Sequence, residues 1–119
     1  MNMENEIQIQ ISFKNLDRSD AVETLIREKI QKLQLFHAGM ISCHVVVSCH
    51  HHHHHQGNLF HVAIELSVPG HKLVANREPD EHHAYTDVYV AIRDAFNSMG
   101  RQLEDLARHQ QGKVKSHAT

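Results

Sequence analysis

The sequence predicts an α+β fold: a two-layer sandwich in the order β-α-β-β-β-α, with a four-stranded sheet carrying two helices on one face. Three observations predict it. Residues 7–13, IQIQISF, alternate strictly between apolar and polar, the mark of a half-buried strand. Two longer stretches, 20–36 and 86–108, instead space their apolar residues at i, i+3, i+4 and i+7, the mark of an amphipathic helix. The remaining strands each have one apolar face, and two amphipathic helices are the right supply to cover a sheet on that face only.

In the first strand Ile7, Ile9, Ile11 and Phe13 point inward, and Gln8, Gln10 and Ser12 point to water. A polar turn, 14–18, follows, and Ser19 or Asp17 caps the first helix. That helix has its stripe at Val22, Leu25, Ile26, Ile30 and Leu33, and ends at His37-Ala38-Gly39, where Gly39 suits a left-handed C-terminal position. The second strand, 41–49, groups Ile41, Cys43, Val45, Val47 and Cys49 on one face. The third, 59–68, turns Phe60, Val62, Ile64, Leu66 and Val68 inward, and His61, Glu65 and Ser67 outward. Val68-Pro69-Gly70-His71 is a tight turn with Pro at i+1 and Gly at i+2. A fourth strand, 72–77, pairs antiparallel with the third through it. A polar loop, 78–85, leads into the last helix, whose stripe is Val88, Ala91, Ile92, Ala95, Phe96, Met99, Leu103 and Leu106. Residues 1–108 form one domain, and 109–119, HQQGKVKSHAT, are expected to be a disordered polar tail.

Composition narrows the function classes. The chain has 119 residues and no Trp, so the core is aliphatic. No apolar run approaches the roughly 20 residues of a membrane span. The opening MNMENEIQ is polar and acidic, unlike a secretory signal. Cys43 and Cys49 fall in one strand, about 20 Å apart at 3.3 Å per residue, beyond disulfide reach. Two thiols unable to bridge fit a reducing compartment, and a cytoplasmic location is expected. The net charge of −2 counts against a nucleic-acid binder, but fourteen histidines lie ready to reverse its sign on protonation.

Six consecutive histidines at 50–55 lie between two strands. They read as a solvated hairpin tip, as a loop that gains positive charge below about pH 6.5, or as metal ligands. The metal candidates are His50, His52, His54, His82 and His83. No fixed geometry or second shell is evident in such a run, so no metal or other cofactor is expected. No phosphate-binding glycine loop or catalytic constellation is present, no small-molecule substrate is implied, and an enzyme is not expected. Asp80-Glu81-His82-His83 reads as a hydrophilic loop.

The cations are the stronger lead. Arg93, Arg101 and Arg108 are spaced by eight and seven residues, within about 80° of one another on the last helix at 100° per residue. With Lys14, Lys29, Lys32 and Arg77 they supply scattered, fork-shaped and point-like donors of the kind that phosphates take. The alternative is pairing on the helix itself, Glu104 with Arg108 and Arg101 with Asp105.

The segments ISFKNL (11–16), AVETLIREKIQKL (21–33), LVAN (73–76), DVYVAIRDA (87–95) and RQL (101–103) resemble the bacterial ribosome hibernation-promoting factors and ribosome-associated inhibitors, also known as sigma-factor modulation proteins. The resemblance spans residues 7–108. It implies a fold like a double-stranded-RNA-binding domain. It implies a non-enzymatic translation inhibitor that binds ribosomal RNA of the small ribosomal subunit, in the channel of messenger and transfer RNA. It implies RNA contacts by Lys14, Lys29, Lys32, Arg77, Arg93, Arg101, Gln102 and Arg108. The chain departs from the family pattern at Glu104 and Asp105, where lysines are common, in a longer loop at 78–85, and in the histidine run. With no second domain expected after residue 108, it resembles a short form. A second hypothesis puts a histidine-rich metal buffer or sensor on the same fold.

Overall fold

The structure is a computed structural model of the chain. It describes residues 6–50, 58–76 and 85–117, with side-chain surroundings described as far as residue 111. The elements are β1 (Gln8–Lys14), α1 (Asp20–Phe36), β2 (Ser42–His50), β3 (Leu59–Val68), β4 (His71–Ala75) and α2 (Val88–His117). The strands form one sheet in the order β1-β2-β3-β4. β1 runs parallel to β2, and β2–β3 and β3–β4 are antiparallel. This is the α+β arrangement that the periodicities predict.

The register sets which residues meet. Val45 of β2 lies between Ile11 of β1 and Ile64 of β3, and Ile64 opposes Ala75 of β4. Cys43, Val45, Val47, Val62, Ile64 and Leu66 therefore share one face and are buried there. Val22, Ile26 and Ile30 of α1 and Ala91, Ile92, Ala95, Phe96, Met99 and Leu103 of α2 complete the same core. Both helices thus cover one face, and every residue of the α2 stripe packs in that cluster or against it. Both cysteines are free and buried, and burial pushes the Cys43 thiol up to about 12.

Local chemistry explains the ends. Ser19 is the N-cap of α1; its hydroxyl accepts the Val22 N–H at 3.3 Å, and Asp20 and Glu23 in the first turn face the positive end of the helix dipole. At the other end the His37 N–H returns to the Leu33 carbonyl. Gly39 does not take the left-handed conformation expected of it; it lies against the Pro69 ring of the β3–β4 turn. Gly70 does take positive φ, +78°, as the turn requires. Asn76, with φ 57°, ends β4 at Ala75, two residues before the expected end, and its amide donates to the Val62 carbonyl at 3.3 Å. Asp87 starts α2 by accepting the Tyr89 N–H at 2.9 Å.

Three further expectations change. Ile41 is 53% exposed, because the chain enters β2 one residue later than the alternation suggests and Met40 is buried in its place. His61, expected to face water, is 3% exposed. The helix expected to end at residue 108 continues to His117. Extending an existing helix carries no new nucleation cost, Gln and Lys are good helix formers, and the lone Gly112 costs only about 1 kcal/mol. The expected disordered tail therefore begins as helix. Among the described residues, no helix is long and apolar enough to cross a membrane.

Ile41 and Ile64 give a direct check, since alternation assigns both to the core. Ile64→Ala should cost about 2–5 kcal/mol in urea unfolding, as a fully buried side chain leaves a cavity. Ile41→Ala should stay within about 0.5 kcal/mol of the parent.

Candidate nucleic-acid interface

The two helices lie side by side. Leu33 of α1 approaches Gly100 of α2, where a Cβ would sit 3.9 Å from the leucine methyl. Further along, Phe36 and His37 share a groove with Glu104, Ala107 and Gln111. Later residues of one helix meet later residues of the other, so the helices run in the same direction. At about 100° per residue, Lys29 and Lys32 lie on the same flank of α1 as Phe36, the flank turned toward α2. Arg93 and Glu104 lie on the α2 flank that carries Gly100, and Arg101 and Arg108 run along its crest. The solvent side of the helix seam is therefore bordered by cations from both helices.

Ion pairing divides these cations. Arg18 and Arg27 of the α1 region both hold Glu23, at 2.6 and 3.4 Å. The Arg18 hydrogen bond, foremost among these contacts, keeps the Glu23 carboxyl below the usual carboxylate range. Arg108 pairs with Asp105 rather than with Glu104. Arg93 reaches Asp94 at 3.4 Å. Asp94 also accepts the Tyr85 hydroxyl at 2.5 Å, which pushes the phenol's pKa up. Among the described residues, Lys29, Lys32 and Arg101 make no ion pair. The pairing expected between Arg101 and Asp105 is absent because Asp105 is turned to Arg108.

The structure does not gather every candidate. Lys14 is exposed at the end of β1, and the alternation of that strand puts it on the sheet face opposite the helices. Gln102 is turned toward the fold: its amide donates to the Val74 carbonyl of β4 at 3.0 Å and ties α2 to the sheet edge. Arg77 lies outside the described residues. So do His52, His54, His82 and His83, together with the rest of the histidine run after His50.

His50 itself lies on the outer sheet face. Its ring and that of His61 meet edge to face with centroids 6.4 Å apart, and its Nε2 is 3.2 Å from the Ser48 hydroxyl. Among the described residues, no group of three metal-ligating side chains occurs. Elsewhere on that face polar residues flank Val46, Ala63 and Val74, and some of them pair. Ser12 hydrogen-bonds with His44 at 3.1 Å, and Lys72 pairs with Glu65 at 2.5 Å.

Leu35 and Phe36 are the residues that periodicity passed over. They fall off the apolar stripe of α1 and are 83% and 80% exposed. Being apolar yet out of phase with the stripe was the available signal. The burial of His61 had no comparable signal, since the alternation of β3 places it on the outer sheet face.

The domain is thus a single sheet with cations along the seam of the two helices that cover its inner face. Residues 9–111 match the model of the sigma 54 modulation protein / S30EA ribosomal protein family, and the chain belongs to that family. Two solved structures are similar in fold. A ribosomal subunit interface protein from Coxiella burnetii matches at a TM-score of 0.66 and 16% identity, over 86% of this chain and 99% of that one. The N-terminal domain of Protein Y from Thermus thermophilus matches at 0.63 and 21%, over 84% of this chain and 99% of that one. No curated protein matches significantly in sequence.

The Glu23 contacts give a pH test. A depressed carboxyl pKa contributes stability that is present above the unfolded value, near 4.3, and is lost as pH falls through the lower folded value. In Arg18→Ala the Glu23 carboxyl resonance should titrate closer to 4.3 than in the parent. The acid limb of the stability curve should flatten accordingly. An unchanged titration would show that Arg18 does not hold Glu23 in solution.

Proposed function

We propose that this protein is a non-enzymatic, ribosome-associated hibernation factor that inhibits translation by occupying the small ribosomal subunit in its messenger and transfer RNA channel. The observation that carries the proposal is the set of cations bordering the helix seam, Lys29, Lys32 and Arg101, that have no carboxylate partner among the described residues. Membership of a family whose description includes a ribosomal protein supports it, as does likeness in fold to a protein described as a ribosomal subunit interface protein. Ribosomal RNA is the partner, met in the cytoplasm during stress or stationary phase.

The helix layer is a better phosphate surface than the sheet. On the outer sheet face Lys72 is already held by Glu65. On the seam, Lys29 and Lys32 offer point charges and Arg101 a fork. Arg93 and Arg108 sit in exposed pairs worth about 0.5 kcal/mol, which a phosphate readily displaces. Lys14 would reach RNA only from the opposite face of the sheet, so it contributes as a flanking contact, and Arg77 is proposed as a further contact. Gln102 acts by holding α2 against β4.

Each neutralised phosphate steepens the salt dependence, by slightly less than one unit of log K against log salt. The wild type should sediment with ribosomes at low salt and leave them at high salt. Lys32→Glu with Arg101→Glu should remain at the top of the gradient at low salt, with circular dichroism and melting close to the parent, since both side chains are exposed. A double variant that still sediments with ribosomes would remove the seam from the interface.

A further inference from the structure

Cations border the seam, but at its far end the surface changes character. The last turn of α1 exposes Leu35 and Phe36 to solvent. Phe36 and Leu33 form one wall of an open groove of about 370 Å³, with Gly100 and Ala107 on the opposite wall and Glu104 and Arg108 at its rim. That volume falls in the range of small-ligand clefts, roughly 300–1,000 Å³. Single exposed apolar residues are ordinary. Here an exposed aromatic ring faces small residues across an open groove, beside an arginine in an exposed i, i+3 pair.

We infer that this groove seats one unpaired nucleobase of the bound RNA, stacked on the Phe36 ring, with Arg108 and Lys32 taking the flanking phosphates. The inference rests on the ribosome-binding reading and names a contact within it. The complementarity is chemical. An apolar wall flanked by cations suits a flat base on an anionic backbone, and stacking on aromatic side chains is how splayed-out bases are commonly held. Glu104 repels a phosphate but accepts hydrogen bonds, so it favours a base edge with N–H donors. Guanine, with adjacent N1–H and N2–H donors, is the best complement. Gly100 and Ala107 keep the facing wall low enough for a ring to enter. Asp105, paired with Arg108, lies on the flank of α2 away from α1 at about 100° per residue and leaves the groove open.

The test is fluorescence anisotropy of the full chain with a labelled single-stranded octaribonucleotide. The oligomer carries a guanine, a uracil or an abasic residue at its centre. Phe36→Ala should weaken binding of the guanine oligomer roughly ten-fold with an unchanged salt slope, since stacking releases no counterions. Phe36→Trp should keep the affinity, and its fluorescence should be quenched on binding. Lys32→Gln should lower the slope by about 0.7, and Glu104→Gln should erase the preference for guanine over uracil. Phe36 is exposed, so these variants should fold as the parent does. Parental affinity in Phe36→Ala, equal binding of the abasic oligomer, or no wild-type binding of the guanine oligomer would each overturn the inference. So would a Phe36-dependent dimer in sedimentation velocity, which would assign the groove to a second copy of the chain. Ribosome co-sedimentation of wild type and Phe36→Ala separates the two claims. If both bind equally, the base seat fails and ribosome association stands. If the wild type never binds ribosomes, the hibernation reading fails whatever the oligomers do.

Discussion

Burial of a single sheet face forces both helices to the same side of the molecule. Cys43, Val45 and Val47 of β2 and Val62, Ile64 and Leu66 of β3 give that face no polar alternative. The helices must lie next to each other, and the groove between them becomes a surface with two independently supplied walls. Each wall can carry charge without disturbing the core, because the apolar stripes of α1 and α2 are fully engaged beneath it. The cationic seam follows from the one-sided sheet.

Carboxylates then select which charges stay available. Glu23 collects Arg18 and Arg27 near the start of α1. Asp94 takes Arg93 and also anchors Tyr85, whose backbone pairs with Phe60 at the start of β3. Asp105 takes Arg108. The net charge of −2 therefore says little about the seam, where Lys29, Lys32 and Arg101 stand outside these pairs. A mildly acidic chain can present local cationic positions where some of its acids are held in pairs.

The fold was legible in the sequence because strict alternation and the 3.6-residue stripe each have one physical interpretation when sustained. The ends were less legible. Gly39 looked like a left-handed terminator, yet it has no positive φ, and a Cβ there would make only ordinary contact with Pro69. Ile41 kept the alternation of β2 but precedes the strand, which begins at Ser42, and is exposed. Residue types identified the cations of the site, but side-chain direction decided their roles. Gln102 turned out to brace β4, and Lys14 sits across the sheet from the seam. Phe36 is apolar but out of phase with the stripe of α1, so its periodicity carries no mark of a role.

The central claim is that the helix seam, and not the sheet, faces the ribosome. Lysine acetylation read by mass spectrometry, with and without ribosomes, tests it most directly, because Lys29 and Lys32 lie on the seam while Lys72 lies on the outer sheet face beside Glu65. Protection of Lys29 and Lys32 with Lys72 still reactive is the expected result. Protection of Lys72 while Lys29 and Lys32 remain reactive would contradict it and assign the contact to the sheet.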